Sequence, residues 1–499
     1  MNTKRLFFSS MLVAMMNAGV APAQTDNEPA GWLYRTEIFA SAASDRYTPF
    51  WMVSNRNGLV PLEAGNAYLS AGIFYRQQYA NGIRWSGGAD VAAVTPRYRN
   101  LMVRQLYTEV AYRSLLLSVG SREQHRSLWD KDLSSGDMVR SGNARPIPEI
   151  RVAMPEYTLV PRTKGWLSIK GDFSVGRSFD TGYLEQFIRD SLIYYVRDVL
   201  WHHKSAYFRI ESPDGRLPLT FEIGLQHGAQ WGGTSTNPRI ANQPQTLSDF
   251  ARVVLGMEGG KGSTASDSIN VLGNHYGSYD LRLTYKGSGW TAGVYHQRYF
   301  DDKSGVIFGN AWDGLWGLQV DMPENGWLQK VVLEILETRN QTGPFHFIQF
   351  DHAKHPGVGG GGDNYYNNGE YTTGLSYLNR GAGSPLLPSP EYNTDGTVGF
   401  QNTRVHSWHA GLSGDLSPRW AYRMLATLTH SWGQPYRPFR NMKRGAYGLL
   451  EVSYRHPKLP GWLFTASAGM DRGSILGSES AGFGLRISKC GILATSPRR

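Results

Sequence analysis

Apolar and polar residues alternate with a period of two along much of the chain. In Leu281-Arg282-Leu283-Thr284-Tyr285-Lys286 every odd position is apolar and every even one polar, which is the mark of a strand with two unlike faces. Leu69, Ala71, Ile73 and Tyr75 alternate in the same way with Ser70, Gly72, Phe74 and Arg76, and Leu219, Phe221, Ile223 and Leu225 with Thr220, Glu222, Gly224 and Gln226. Runs beginning at Tyr422, Leu450, Phe464 and Phe483 repeat the pattern. Turn residues punctuate it: Asn81-Gly82 and Lys286-Gly287-Ser288-Gly289 separate alternating runs, so consecutive strands are expected to pair as hairpins. About fourteen strands of roughly 9 to 12 residues stand out, and weaker ones raise the total to 16 to 18.

Two segments break the period. Leu184, Phe187, Ile188, Leu192, Tyr195 and Val199 recur at helical spacing, as do Leu247, Phe250, Ala251 and Val254 beside Ser248, a candidate cap. They lie in long segments rich in Gly, Pro, Asn and Ser, at 122–163, 176–203, 228–276, 339–370 and 379–402. Loops of this length with their own apolar residues are expected to fold as lids or plugs.

Composition narrows the class. Of 499 residues, 58 are Gly, 15 Trp, 27 Tyr and 20 Phe, while only 18% are charged, which excludes a disordered chain and a long-helix protein. A single cysteine, Cys490, excludes a disulfide framework. The start reads as a secretory signal peptide over residues 1–23: Lys4 and Arg5, an apolar run from Leu6 to Val20, then Ala21-Pro22-Ala23. After it no stretch reaches the roughly 18 to 20 apolar residues of a spanning helix. An exported chain of alternating strands is then either soluble or a membrane barrel, since in lipid only helices and closed barrels satisfy every backbone group. Trp or Tyr or Phe at segment ends, namely Tyr79, Trp85, Trp290, Tyr299, Phe300, Trp420 and Trp462, favours the barrel, where such residues form interfacial girdles. The expected organisation is one barrel domain over 24–490 and a tail over 491–499, located in the outer membrane.

Catalytic signatures are absent: there is no G-x-S-x-G, no H-E-x-x-H and no Walker A loop. The glycines at 357–362 follow His355-Pro356 in a loop and open no helix. His202, His203, His275, His346, His352 and His355 show no tight ligand spacing, so hydrogen bonding in loops is the better reading, and neither metal nor cofactor is expected. Sugars are bound by stacking on aromatic faces beside hydrogen-bonding side chains, and the loops supply such sets. They are Arg126, Trp129 and Asp130; His227, Gln230 and Trp231; Asn274, His275 and Tyr276; and Asp363, Asn364, Tyr365 and Tyr366. The same clusters also suit the packed cores of folded loops.

Several of these segments resemble the capsule assembly Wzi family in its Bacteroidetes form. The resemblance runs through SGNARPIPEI (Ser141 to Ile150), HHKSAYFRI (His202 to Ile210), QHGAQWGG (Gln226 to Gly233) and SDFARVVLG (Ser248 to Gly256). It continues through GNHYGSYDLRL (Gly273 to Leu283), FHFIQFDH (Phe345 to His352) and DNYYNNGEYTTGLSY (Asp363 to Tyr377). It implies an all-β transmembrane barrel of about eighteen strands and a lectin-like, non-catalytic role in attaching capsular polysaccharide to the cell surface. The expected partners are a capsular or surface polysaccharide, taken as acidic because the formal charge of +10, or +8 without Lys4 and Arg5 of the signal peptide, points weakly that way, and outer-membrane lipid, with no nucleic acid. Two alternatives stay open on the residues alone: a saccharide porin, and an outer-membrane enzyme modifying lipid or glycan. The chain departs from the aromatic end usual for such barrels, since Phe483, Leu485 and Ile487 are followed by Lys489, Cys490 and a basic stretch to Arg499.

Overall fold

Strands with one apolar and one polar face must hide one of them, and here the apolar face looks outward. A computed structural model describes residues 30–495 apart from 98, 189, 191, 241–242, 261–262, 265–270, 302, 325 and 342–362; the expected signal peptide and His346, His352 and His355 lie outside the described residues. Eighteen antiparallel strands close into a barrel. They are β1 (Gly31–Ala43), β2 (Asn66–Gln78), β3 (Ile83–Thr95), β4 (Leu101–Tyr112), β5 (Leu115–Ser121) and β6 (Glu149–Leu159). Next come β7 (Leu167–Arg177), β8 (Leu200–Glu211), β9 (Leu219–Trp231), β10 (Asn274–Lys286), β11 (Thr291–Phe300) and β12 (Gly314–Asp321). The last are β13 (Lys330–Glu337), β14 (Val405–Ser417), β15 (Trp420–Gly433), β16 (Pro438–Arg455), β17 (Trp462–Gly473) and β18 (Ala481–Thr495). Each pairs with its sequence neighbours, and β18 pairs with β1 from Gly482–Ala43 to Thr495–Gly31, so no edge is left open. The last strand thus runs past Cys490 to Thr495.

Exposure follows the alternation. Phe221, Ile223, Leu225, Leu281, Leu283, Val294, Leu333, Leu428 and Leu450 are exposed, whereas Thr220, Glu222, Gln226, Asp280, Glu334, Thr427 and Glu451 are buried in the lumen. An outward apolar belt around a polar interior is the arrangement of a membrane barrel and the inverse of a soluble one. The protein is an outer-membrane β-barrel. Exposed Trp32, Trp85, Tyr112, Trp166, Tyr285, Trp290 and Trp420 all lie at the end with short turns and mark one membrane boundary. Tyr299 and Phe300 do not belong to a girdle: at 1% and 6% exposure they are buried where β11 meets the loops.

The connections sort by end. Turns such as 79–82, 113–114 and 287–290 lie at one end, and the described residues of segments 44–65, 122–148, 178–199, 232–273 and 338–404 connect strands at the other, which in outer-membrane barrels is the extracellular side. At the first turn Asn81 Oδ1 accepts from Ile83 N (3.1 Å) and Gly82 takes a positive φ of 85°, as the hairpin requires.

The core is not in the wall but inside it. Phe50–Val53, a single helical turn in the first long loop, is fully buried, with Trp51 Nε1 donating to Thr427 Oγ1 (3.0 Å) and Phe50 N to Asp471 Oδ2 (2.7 Å). Segment 122–148 crosses the lumen. Arg282 donates to Leu128 O, Lys330 Nζ to Asp130 (2.7 Å) and Arg423 Nη1 to Asp132 O (2.7 Å). His409 Nε2 meets Leu133 O at 2.8 Å, and Met138 N donates to Gln297 Oε1 (2.7 Å). The wall is thinned to admit this segment: a Cβ at Gly411 would stand 2.5 Å from Leu133 O. Leu133, Met138, Val139, Tyr365, Tyr366 and Phe400 are 2% exposed or less. The described parts of segments 44–65, 122–148 and 363–404 thus form a packed plug.

Candidate functional site

The loop-bearing end is the only face on which a barrel anchored in lipid can meet an external polymer, so the sugar-binding candidates are placed relative to it. Arg126 lies inside the barrel, donating to Asp172 Oδ2 (3.1 Å) and to Glu149; both acids have further arginine partners in Arg151 and Arg140. Trp129 is 3% exposed and stacks on Tyr295, ring centroids 4.6 Å apart. Asp130 accepts from the backbone NH groups of Asp132 and Leu133 as well as from Lys330. Burial opposes its charge, but Lys330 and those NH groups outweigh burial and hold the carboxyl below its usual range.

Six other candidates are brought together by pairing of β9 with β10, which sets Gly228 opposite Tyr276, Ala229 opposite His275 and Gln230 opposite Asn274. Inside, Asn274 Nδ2 donates to Gln230 Oε1 (2.7 Å) and Gln230 Nε2 to Gly374 O (3.0 Å), while Tyr276 is buried. Outside, His227 and His275 meet at 2.9 Å, and Trp231 stacks on Phe250 (5.3 Å). Phe250 belongs to α1 (Leu247–Leu255), a helix laid against the outer wall. Its cap is Thr246 rather than Ser248: Thr246 and Asp249 bond each other's backbone NH in a capping box. Leu247 and Leu255 face outward, 83% and 70% exposed, so this helix packs one apolar side on the wall and offers another to the membrane.

The last group holds the plug's upper layer. Tyr365 Oη accepts from Asn310 Nδ2 (2.6 Å), Tyr366 Oη donates to Met138 O (2.5 Å), and Asn364 Oδ1 accepts from Thr403 Oγ1 (2.7 Å). Asp363 is buried beside them. Among the described residues no three His, Cys, Asp or Glu side chains assemble as a metal site.

Segment 178–199 and the end of β7, at the loop-bearing end, expose a set that the sequence reading does not single out. In segment 178–199, Phe179 is 61% exposed and Tyr194 39%. Arg177 sits over Phe179 (5.7 Å) and pairs with Asp198 (3.2 Å), and Arg197 lies over Tyr195 (5.9 Å) and pairs with Glu185 (3.2 Å). The helical spacing expected through Val199 stops early: a helix spans Thr181–Phe187, and Val196–Arg197 then pairs with Thr234–Ser235. Beneath, burial raises the Asp180 carboxyl to about 6, although Leu378 N donates to it (3.4 Å). A folded-state value above the ordinary 3.8 means that the folded loop binds the extra proton, so its stability falls as pH rises through about 6. Segment 178–199 is expected to resist protease better at pH 5 than at pH 8, by about 1.4 kcal/mol in opening free energy, and Asp180→Asn is expected to abolish the difference. Equal cleavage of the wild type at both pH values would contradict this.

The sequence profile described as capsule assembly protein Wzi matches residues 99–386, more than half of the chain. No curated protein matches by sequence. Among solved structures, the Escherichia coli outer-membrane protein Wzi, involved in group 1 capsule assembly and described as a carbohydrate-binding β-barrel, superposes with a TM-score of 0.54 at 13% identity, covering 91% of this chain and 83% of its own. A BenF-like porin from Pseudomonas fluorescens (TM-score 0.48, 10% identity, 94% of this chain and 100% of the porin) and OprD from Pseudomonas aeruginosa (0.45, 9%, 96% and 100%) are further matches.

Proposed function

Because the chain belongs to the capsule assembly protein Wzi family, we propose that it is a non-catalytic, lectin-like barrel that holds capsular or other surface polysaccharide on the cell. The observation that carries this reading is a lumen filled by its own loops, with exposed aromatic rings and arginines at the loop-bearing end around segment 178–199. A porin would need an open path, and segment 122–148 is tied across this one at Asp130, Leu133 and Met138. The carbohydrate binding described for the Escherichia coli barrel supports the same reading. Phe179 and Tyr194 offer flat apolar faces to sugar rings, and Arg177 and Arg197 offer charge to an acidic polymer. His227, Gln230, Trp231, Asn274, His275, Tyr276, Arg126, Trp129, Asp130, Asp363, Asn364, Tyr365 and Tyr366 would act mainly by fixing the shape of that face.

Retention of purified polysaccharide by the detergent-solubilised barrel tests the proposal. Phe179→Ala with Tyr194→Ala is expected to lower retention by roughly thirtyfold at all salt concentrations, as befits the loss of two stacking contacts of about 1 kcal/mol each. Arg177→Gln with Arg197→Gln is expected to weaken retention chiefly at low salt. Retention unchanged in both variants would count against this face.

A further inference from the structure

The outer wall of β13 to β17 carries a hollow with a cationic rim, and neither is used by the plug or by the extracellular face. Strand register builds it row by row. Leu333, Ala410, Ala426, Gly448 and Met470 lie side by side on the lipid face, and the small residues at the centre of that row sink the wall. The next row toward the loops is Ile335, Trp408, Leu428 and Ala446. Together with Leu283, Val294 and Leu318 these line an apolar groove of about 950 Å³. A Cβ at Gly448 would meet nothing nearer than Met470 O at 3.9 Å, so the groove is open there.

The row above is polar: Glu337, His406, His430 and Arg444. Such residues on the lipid face at the loop end stand at headgroup level, directly above apolar wall. Trp408 lies edge-on to both His406 (4.3 Å) and His430 (5.4 Å), closing the boundary between the two zones. Glu337 is consumed locally: Arg339 grips it with two bonds (2.6 and 2.7 Å), and His406 Nδ1 meets it at 2.8 Å. Two cations remain. Arg444 is exposed, and Arg404, which precedes β14, has a buried Nε with no hydrogen-bond partner; neither pairs with a carboxylate among the described residues. They flank β15 from either side, Arg444 opposite His430 and Arg404 with its carbonyl accepting from Trp432 N (3.0 Å).

We propose that this groove and rim form a binding site for a phosphorylated lipid of the outer leaflet, with acyl chains in the hollow and the phosphate between Arg404 and Arg444. Charge complementarity selects the occupant. Two guanidinium groups without acids at the top of an apolar trough match an anionic head on hydrocarbon chains, and guanidinium is the side chain best shaped for phosphate oxygens. A zwitterionic or neutral lipid would fill the groove but leave the rim uncompensated.

The test is native mass spectrometry of the intact barrel released from neutral detergent, with phosphatidic acid and phosphatidylcholine of identical chains as probes. The wild type is expected to prefer phosphatidic acid by roughly tenfold or more. Arg404→Gln with Arg444→Gln should bring the two lipids to near parity, and the matching pair of lysine substitutions should restore part of the preference. Gly448→Leu, which fills the groove without touching the rim, should weaken both lipids alike. Heat-modifiable migration on gels checks that each variant is folded. The proposal is overturned by a wild type without preference, by glutamine variants that keep it, by inorganic phosphate displacing the lipid at equal concentration, or by two copies of the chain pairing through this wall and excluding lipid.

Discussion

Leu283→Lys is expected to impair assembly in the outer membrane, whereas Thr284→Lys, one residue away, is expected to be tolerated. Leu283 is 43% exposed on the outer face of β10, one outward position from Tyr285 in the short-turn girdle, so its side chain meets lipid between that boundary and the middle of the apolar band. A lysine there costs more than the about 0 to 1 kcal/mol of the interface, toward the about 2 to 4 kcal/mol of the midplane. Thr284 faces the lumen beside Arg282, whose Nε approaches its hydroxyl at 3.3 Å, and a lysine there can reach water and the Glu222 carboxylate. Denaturant unfolding of each variant in lipid vesicles, together with yield from outer-membrane fractions, reads the difference. Equal tolerance at both positions would mean that the face assignment is wrong.

The second large effect is expected at Glu334. This buried carboxylate on β13 accepts from Ser134 Oγ (2.6 Å), Ser135 N (2.7 Å) and Tyr295 Oη (2.5 Å), joining the lumen-crossing segment to two strands. Hydrogen bonds to a charged group contribute about 1.5 to 3 kcal/mol each, and Glu334→Ala removes all three while stranding the donors. The barrel wall has its own ladder and should persist, but the segment should loosen. Planar-bilayer recordings should show discrete ion conductance in the variant and little in the wild type, and protease should cut within 122–148. A variant as silent and as resistant as the wild type would show that the plug does not depend on this anchor.

How much of this was legible in the sequence depends on the physics behind each feature. The strands were readable because a residue on a strand has only two directions, so a lipid-facing wall writes its alternation at every step, as in Leu281 to Lys286. Which face is inside is not readable, since the same alternation serves a sandwich and a membrane barrel; aromatic residues at strand ends only favour the barrel, exposure of the apolar face decides it, and Tyr299 and Phe300 show where the aromatic signal misleads. Strand β6 was hidden inside the long stretch 122–163 because Pro155, Glu156 and Tyr157 interrupt its alternation, and the register with β7 shifts between Met154 and Thr158. Composition points to Trp129, Gln230 and Tyr365 as sugar-binding candidates, and the structure buries Trp129 and Tyr365 in the plug and Gln230 on the lumen face of β9, because aromatic rings beside amides satisfy a buried loop as well as they satisfy a sugar. Phe179 and Tyr194 carried no signal that could distinguish them from such core residues, since their exposure depends on segment 178–199 folding over Asp180 and Leu184. Likewise Arg404 and Arg444 come to flank β15 only through register over distant strands.

The central claim is that the protein holds polysaccharide at the surface and takes no part in making it. Cells lacking the protein, and the same cells with the wild type restored, should be compared for total polymer and for the fractions retained on cells and released into the medium. The expected result is an unchanged total with most of the polymer moved from the surface to the medium, and recovery of the surface fraction on restoration. A fall in total polymer with no released fraction would contradict the account and point to a role in synthesis or export.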